Sequence, residues 1–142
     1  MLVLAFPDYL SQSQALATEL GGDFDVVDLH RFPDGESRLR LPAKLPDRVA
    51  FCRSLDSPNE KLTELMLAAE TARTLGAAHL TLVAPYLCYM RQDVAFQPGE
   101  AVSQRIIGRF LARLFDTVIT VDPHLHRVST LAEAVPADRA LA

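Results

Sequence analysis

Between residues 84 and 105 the chain reads APYLCYMRQDVAFQPGEAVSQR. Tyr86, Tyr89 and Phe96 offer aromatic faces, Arg91 a cation, Gln92 an amide and Asp93 a carboxylate. That set suits a base with attached phosphates: a face to stack on, amides to hydrogen-bond, and a guanidinium for charge. A connection of ~15 residues without regular structure is uncommon in a compact domain and is usually functional or disordered. The aromatics argue against disorder, because they need somewhere to pack. An ordered surface loop pinned by its aromatics accounts for the same residues, and composition does not separate the two readings.

A second group lies in TVITVDPHLH, residues 117–126. Asp122, His124 and His126 alternate with Pro123 and Leu125, so continued strand geometry would aim all three one way. An Asp with two imidazoles on one face can hold a divalent cation. The plainer reading makes Asp122 a turn cap and leaves each His bonded to backbone. A third group is RFPDGE, residues 31–36. Pro-Asp-Gly is a hairpin-turn signal, and the turn reading suffices unless a partner or ligand meets Phe32 and Glu36. Cys52 reads as a small core residue in an apolar strand and Cys88 as a structural thiol. His30 and His79 stand at strand ends. No G-x-x-x-x-G-K-[ST] and no G-x-G-x-x-G string occurs, so the usual phosphate cradles are missing.

These residues need elements to hold them. LVLAF (2–6), DVVDLHRF (25–32), RVAFCRS (48–54), HLTLVA (79–84) and TVITVD (117–122) read as strands. ESRLRL (36–41) alternates like a half-exposed strand, so residues 25–41 form an expected hairpin around Pro33, Asp34 and Gly35. SQSQALATEL supplies a helix stopped by Gly21 and Gly22. The spacing predicts a helix over 57–75, with Ser57 and Glu60 as a capping box, Pro58 at its first position and Gly76 as its end. Its expected inner face is Leu62, Leu65, Met66, Ala69, Ala72 and Leu75. Val102, Ile106, Ile107, Phe110, Leu111 and Leu114 mark another amphipathic helix, and ADRALA is an expected tail. Strands alternating with helices after residue 48 imply a mostly parallel sheet with right-handed crossovers. In such a sheet, ligands bind beyond the carboxyl ends of the strands, which is where the 85–99 loop and Asp122–His126 both leave.

The chain has 142 residues, one domain's worth, and no repeat, linker or low-complexity run. A net charge of −4 and a pI near 5.5 argue against a nucleic-acid surface. Two cysteines make no disulfide framework, so a reducing cytoplasm is the expected compartment. MLVLAFPDYLSQ lacks the basic start and apolar length of a signal peptide. No stretch approaches the roughly 20 apolar residues that cross a bilayer, so no membrane partner is expected.

Taken in order, RFPDGE, then PYLCYMRQD with F-x-P-G-E after it, then VITVDPHLH resemble ribose-phosphate diphosphokinase, the phosphoribosyl diphosphate synthetase family. SLDSPNEKLTELMLAAETAR is similar to that family's segment between the first two motifs. The resemblance runs over essentially the whole chain. It implies an α/β phosphoribosyltransferase-like three-layer fold, a mostly parallel sheet plus a β-hairpin flag. It implies transfer of the diphosphoryl group of ATP to the anomeric hydroxyl of ribose 5-phosphate, with Mg²⁺. By motif, Phe32, Asp34 and Glu36 would contact adenine from a neighbouring subunit, hence a homo-oligomer with a shared nucleotide site. Arg91 and Gln92 would hold ATP, and Asp93 would support the loop or the nucleotide. His124 would meet Mg²⁺ or the phosphates as the catalytic residue, with Asp122 beside it as a metal ligand orienting the site. Such chemistry is mostly positioning and charge neutralisation.

Two departures stand out. Family chains continue for about as much again, with a Thr-Gly-Gly-containing ribose-phosphate loop and a basic catalytic loop. Residues 1–142 are thus expected to be a single domain like the first half, with the second half-domain absent, binding ATP weakly and not turning over. Relatives also often carry basic residues after R-Q-D, where this chain has Val94 and Ala95. Two other readings remain open: a non-catalytic regulatory subunit of the synthetase, and a metal-dependent hydrolase built on Asp122, His124 and His126. The hydrolase would need ligands beyond those three, and only His30 and His79 are left to supply imidazoles.

Overall fold

A computed structural model describes residues 1–121 and 123–142. The elements run β1 (Leu2–Ala5), α1 (Leu10–Glu19), β2 (Asp23–Val26), β3 (Asp28–Arg31), β4 (Ser37–Arg40), β5 (Arg48–Cys52) and α2 (Pro58–Thr74). Then follow β6 (His79–Ala84), α3 (Ser103–Leu114), β7 (Thr117–Thr120), α4 (Leu131–Ala134) and β8 (Arg139–Leu141). Six strands form one sheet in the order β2-β1-β5-β6-β7-β8, with every neighbouring pair parallel. Parallel strands need covered faces, and alternating side chains on each strand supply both. Leu2, Leu4, Val49, Phe51, Leu80, Leu82 and Val118 share one core with Leu65 and Ala69 of α2 and Leu111 and Leu114 of α3. Val3, Ala50 and Cys52 point the other way, onto Ala17 of α1. The result is a three-layer α/β fold with a separate β3–β4 hairpin, as the motifs implied.

Several local expectations change. The run 25–32 is not one strand. Val27 is fully buried and its N–H binds the Ala5 carbonyl, which turns the chain. Residues before it add to the main sheet beside β1, and residues after it make the hairpin, which therefore spans 28–40. The capping box does not form. Ser57 sits in the left-handed region at φ 48°, its side chain caps nothing, and Glu60 instead pairs with Arg31 at 2.9 Å. An N-cap normally needs extended backbone, which Ser57 does not have. Met66 is exposed on α2, and its expected place inside is taken by Ala68 and by Glu64, which the sequence reading passed over. The expected tail is partly strand: β8 extends the sheet parallel to β7, behind the short α4. None of the helices among the described residues is long and apolar enough to cross a membrane.

Candidate functional site

The carboxyl ends of β1, β5, β6 and β7 lie on one edge of the sheet, as parallel pairing requires. Each releases a segment of polar residues there: Asp8 after β1, Arg53–Ser57 after β5, Pro85–Val102 after β6, and Val121 onward after β7. The β6 segment has no helix or strand, yet it is fixed. Its own Leu87, Cys88 and Met90 are buried and anchor it. The buried Gln104 donates from Nε2 to the Met90 carbonyl at 3.2 Å, and its N–H binds the Gln92 carbonyl at 3.1 Å. Further along, Glu100 accepts from the amides of Phe96 and Gln97, closing a small turn. Hydrogen bonding from the Gln92 side chain and those amides holds the exposed Glu100 carboxyl below its usual range.

This loop walls a cleft of about 500 Å³ whose other side is the start of α2. Asp56, Ser57 and Asn59 face Tyr86, Tyr89, Arg91 and Gln92 across it. Tyr89 OH donates to Asn59 Oδ1, joining the walls. Ser57 and Tyr89 are the two non-glycine residues with positive φ among the described residues, at 48° and 61°. Such backbone costs of order 1–3 kcal/mol per residue and persists where the surroundings enforce it, typically at ligand sites. Cys88 also lines the cleft, but burial pushes its thiol up to about 12, so it is no nucleophile near neutrality.

Arg91 also lines a narrow pocket of about 80 Å³ with Tyr86, Val121, Pro123 and His124. The loop and the β7 segment are therefore neighbours at one rim. Asp93 ties them: its side chain is 1% exposed, and Oδ1 accepts from Arg127 Nη1 at 2.6 Å. Asp93 thus holds the loop's underside, whereas Arg91 and Gln92 face the cleft. His124 and His126 are exposed with ring centroids 5.7 Å apart, edge to face. Strand geometry does not place them, because β7 ends at Thr120 and Val121 begins a bend. Asp122 lies outside the described residues. Among the described residues, no three His, Cys, Asp or Glu side chains gather into a cation cage.

Phe32, Asp34 and Glu36 stand exposed at the hairpin tip. Gly35, at φ 93°, lets the chain reverse there, and Asp34 Oδ1 accepts from the Glu36 N–H at 3.1 Å. Phe32 packs edge-on to His30 at 4.8 Å. None of the three lines the Tyr86–Gln92 cleft of its own chain. Glu36 instead borders a separate groove of about 530 Å³ against α2, which shares Asn59 with the cleft.

Sequence reasoning missed Arg53 and Glu64, which are buried together as an ion pair at 2.7 Å. The available signal was Glu64 in line with Ala68 and Ala72, four and eight residues on, a stripe of small residues facing inward.

A family model described as the N-terminal domain of ribose phosphate pyrophosphokinase matches residues 1–114. The ribose-phosphate pyrophosphokinase of Methanopyrus kandleri is 38% identical over 132 residues, covering 92% of this chain and 45% of that protein. That of Saccharolobus solfataricus is 46% identical over 96 residues, 66% of this chain and 33% of the relative. The crystal structure of phosphoribosylpyrophosphate synthetase from Mycobacterium smegmatis superposes with a TM-score of 0.76 at 21% identity. It covers 99% of this chain and 47% of its own, a likeness of fold. This chain spans less than half the length of each of these relatives.

Proposed function

The chain belongs to the ribose phosphate pyrophosphokinase family by its N-terminal domain, and we propose on that premise that it supplies the ATP-binding half of a diphosphoryl-transfer site. The reaction would pass the diphosphoryl group of ATP to the anomeric hydroxyl of ribose 5-phosphate, giving 5-phosphoribosyl diphosphate for nucleotide biosynthesis. The observation that carries this reading is the shared rim: Arg91 borders both the Tyr86–Tyr89 cleft and the pocket beside His124. A base can occupy the aromatic cleft while its phosphates run past the guanidinium to the imidazole. Arg91 would neutralise phosphate charge and Gln92 hydrogen-bond the nucleotide, with loop geometry fixed by Asp93 and Gln104. His124, exposed at the rim, would donate to a phosphate oxygen as charge develops on the transferring group. In-line transfer asks for positioning more than covalent chemistry, and a rigid loop on a parallel sheet provides it.

Magnesium would suit this rim as a cation carried on the phosphates. It keeps most of its waters and takes few protein ligands, so a cation carried on the phosphates needs no cage of three side chains. His124 and Asp122 would hold it, and it would neutralise charge between the phosphates. Phe32, Asp34 and Glu36, which do not line the cleft of their own chain, would reach adenine in a second copy, making the nucleotide site a property of a homo-oligomer. The two cysteines, both buried and free, accord with a cytoplasmic setting.

The 142 residues contain no Thr-Gly-Gly string for the ribose phosphate. Calorimetric titration with Mg·ATP is therefore expected to show weak binding without turnover. Arg91→Ala should weaken that binding by about tenfold, the value of one charge-assisted contact of ~1.4 kcal/mol. Equal affinity in both proteins, or phosphoribosyl diphosphate made by the 142-residue chain, would contradict this reading.

A further inference from the structure

Glu64 lies on α2 and is fully buried. Its Oε1 accepts from Arg31 Nε at 2.9 Å and from Ser37 Oγ at 3.0 Å. Arg31 and Ser37 face each other in register as the last rung of the hairpin, immediately before the turn that carries Phe32, Asp34 and Glu36. The other oxygen, Oε2, lies 2.7 Å from Arg53 Nη2. Arg53 leaves β5 at the carboxyl edge, holds Asp8 at 3.0 Å and lies 4.1 Å over the Phe6 ring. Lys61, also on α2, reaches the Ser54 carbonyl at 2.9 Å and bridges Asp8 at 3.2 Å to Asp56 at 3.1 Å. Asp56 is a wall of the cleft. One carboxylate thus joins the hairpin tip's root to a run of charges that ends at the nucleotide cleft.

Such a pair is a poor source of net stability, because desolvating two charges offsets most of their attraction. What it fixes is geometry, since a buried charge tolerates no position where it loses its partners. We propose that Glu64 is a positioning residue: by gripping the last hairpin rung and Arg53 with one carboxylate, it sets how the hairpin tip is presented to the nucleotide site of a second copy. The proposal rests on the reading of the hairpin as a nucleotide contact in trans. A carboxylate that only stabilised α2 would not distinguish the hairpin from the rest of the fold.

Amide hydrogen exchange separates the two roles. The double variant Arg31→Met/Ser37→Ala cuts the hairpin's bonds to Glu64 and leaves the Glu64–Arg53 pair in place. It also removes the exposed Arg31–Glu60 pair, whose loss alone, in Glu60→Gln, should leave hairpin exchange nearly unchanged. Amides of residues 28–40 are expected to exchange about tenfold faster, while β1, β5 and β6 keep their protection. Mg·ATP affinity should fall several-fold with them. Arg31→Lys, which keeps a donor to the carboxylate, should restore most of both effects. Glu64→Gln should loosen the hairpin likewise; if it fails to fold, the double variant still decides. Unchanged hairpin exchange, uniform acceleration of hairpin and core, or unchanged ATP affinity in a variant with a loosened hairpin would each overturn the proposal. A wild-type chain that binds no ATP would instead sink the nucleotide reading, with the exchange arm still measurable.

Discussion

Arg53→Met lowers the folding stability of this chain by about 3–5 kcal/mol at pH 7, the loss expected when one member of a buried ion pair is left behind. Arg53 is fully buried, with Nε on Asp8 and Nη2 2.7 Å from Glu64. Methionine fills much of the same space, so the loss is chiefly the stranded carboxylate. The pH dependence identifies it. Burial pushes the Glu64 carboxyl up, but hydrogen bonds from Arg31 and Ser37 and the positive charge of Arg53 beside it outweigh this and hold it below its ordinary 4.5. A lowered folded value means that the wild-type contribution is complete above pH 4.5 and fades as pH falls through the folded value. In Arg53→Met the carboxylate loses its innermost partner and protonates more readily. The gap between the two proteins should therefore narrow from pH 7 toward pH 4. Adding Glu64→Leu should recover much of the loss, because the half-exposed Arg31 can turn to water while the interior becomes apolar. Denaturant melts of the three proteins at both pH values check this. A loss below about 1 kcal/mol, or simple addition of two losses, would mean that Arg53 and Glu64 are not coupled.

Gly108→Ala is the second large effect. Gly108 lies buried in the middle of α3, where glycine is ordinarily unfavourable by roughly 1 kcal/mol relative to alanine. Here the added Cβ would stand 1.7 Å from the Ala134 carbonyl oxygen and 2.8 Å from its carbon. Both are backbone atoms, so α3 and the segment around α4 must part. The expected cost is about 3 kcal/mol, at the upper end for overpacking and opposite in sign to the propensity gain. Because α4 leads into β8, exchange protection at Arg139–Leu141 should fall before that of β5 or β6. A thermal melt unchanged or raised by Gly108→Ala would show that the helix and α4 are not in that contact.

Much of the scaffold was legible because its signals are local. Apolar runs such as VAFC and HLTLVA, short and carrying β-branched residues, fit strands of a covered sheet, and α2 begins at Pro58 as its sequence suggests. What the sequence hid depends on partners far along the chain. Ser57 and Glu60 satisfy a capping-box pattern, yet Glu60 is drawn 29 residues back to Arg31 and Ser57 is left-handed where it lines the cleft. DVVDLHRF looks continuous, and only the sheet edge, which takes residues up to Val26, decides where it breaks. Asp93 stands beside Arg91 and Gln92 in one motif, but the fold buries it against Arg127 while its neighbours face the cleft. Glu64 was the hardest to see, since a lone acid in a helix ordinarily faces water until a buried arginine is placed beside it.

The central claim is that the Tyr86–Gln92 loop and the segment after β7 form one nucleotide rim. Residue-resolved NMR of the isotopically labelled chain, titrated with Mg·ATP into the millimolar range, tests it most directly, since weak binding still moves resonances. Shifts concentrated at the hairpin tip Phe32–Glu36, at Ser57–Asn59, at Tyr86–Gln92 and at His124 are the expected result. Shifts confined to the α4–β8 region, or none at all, would contradict it.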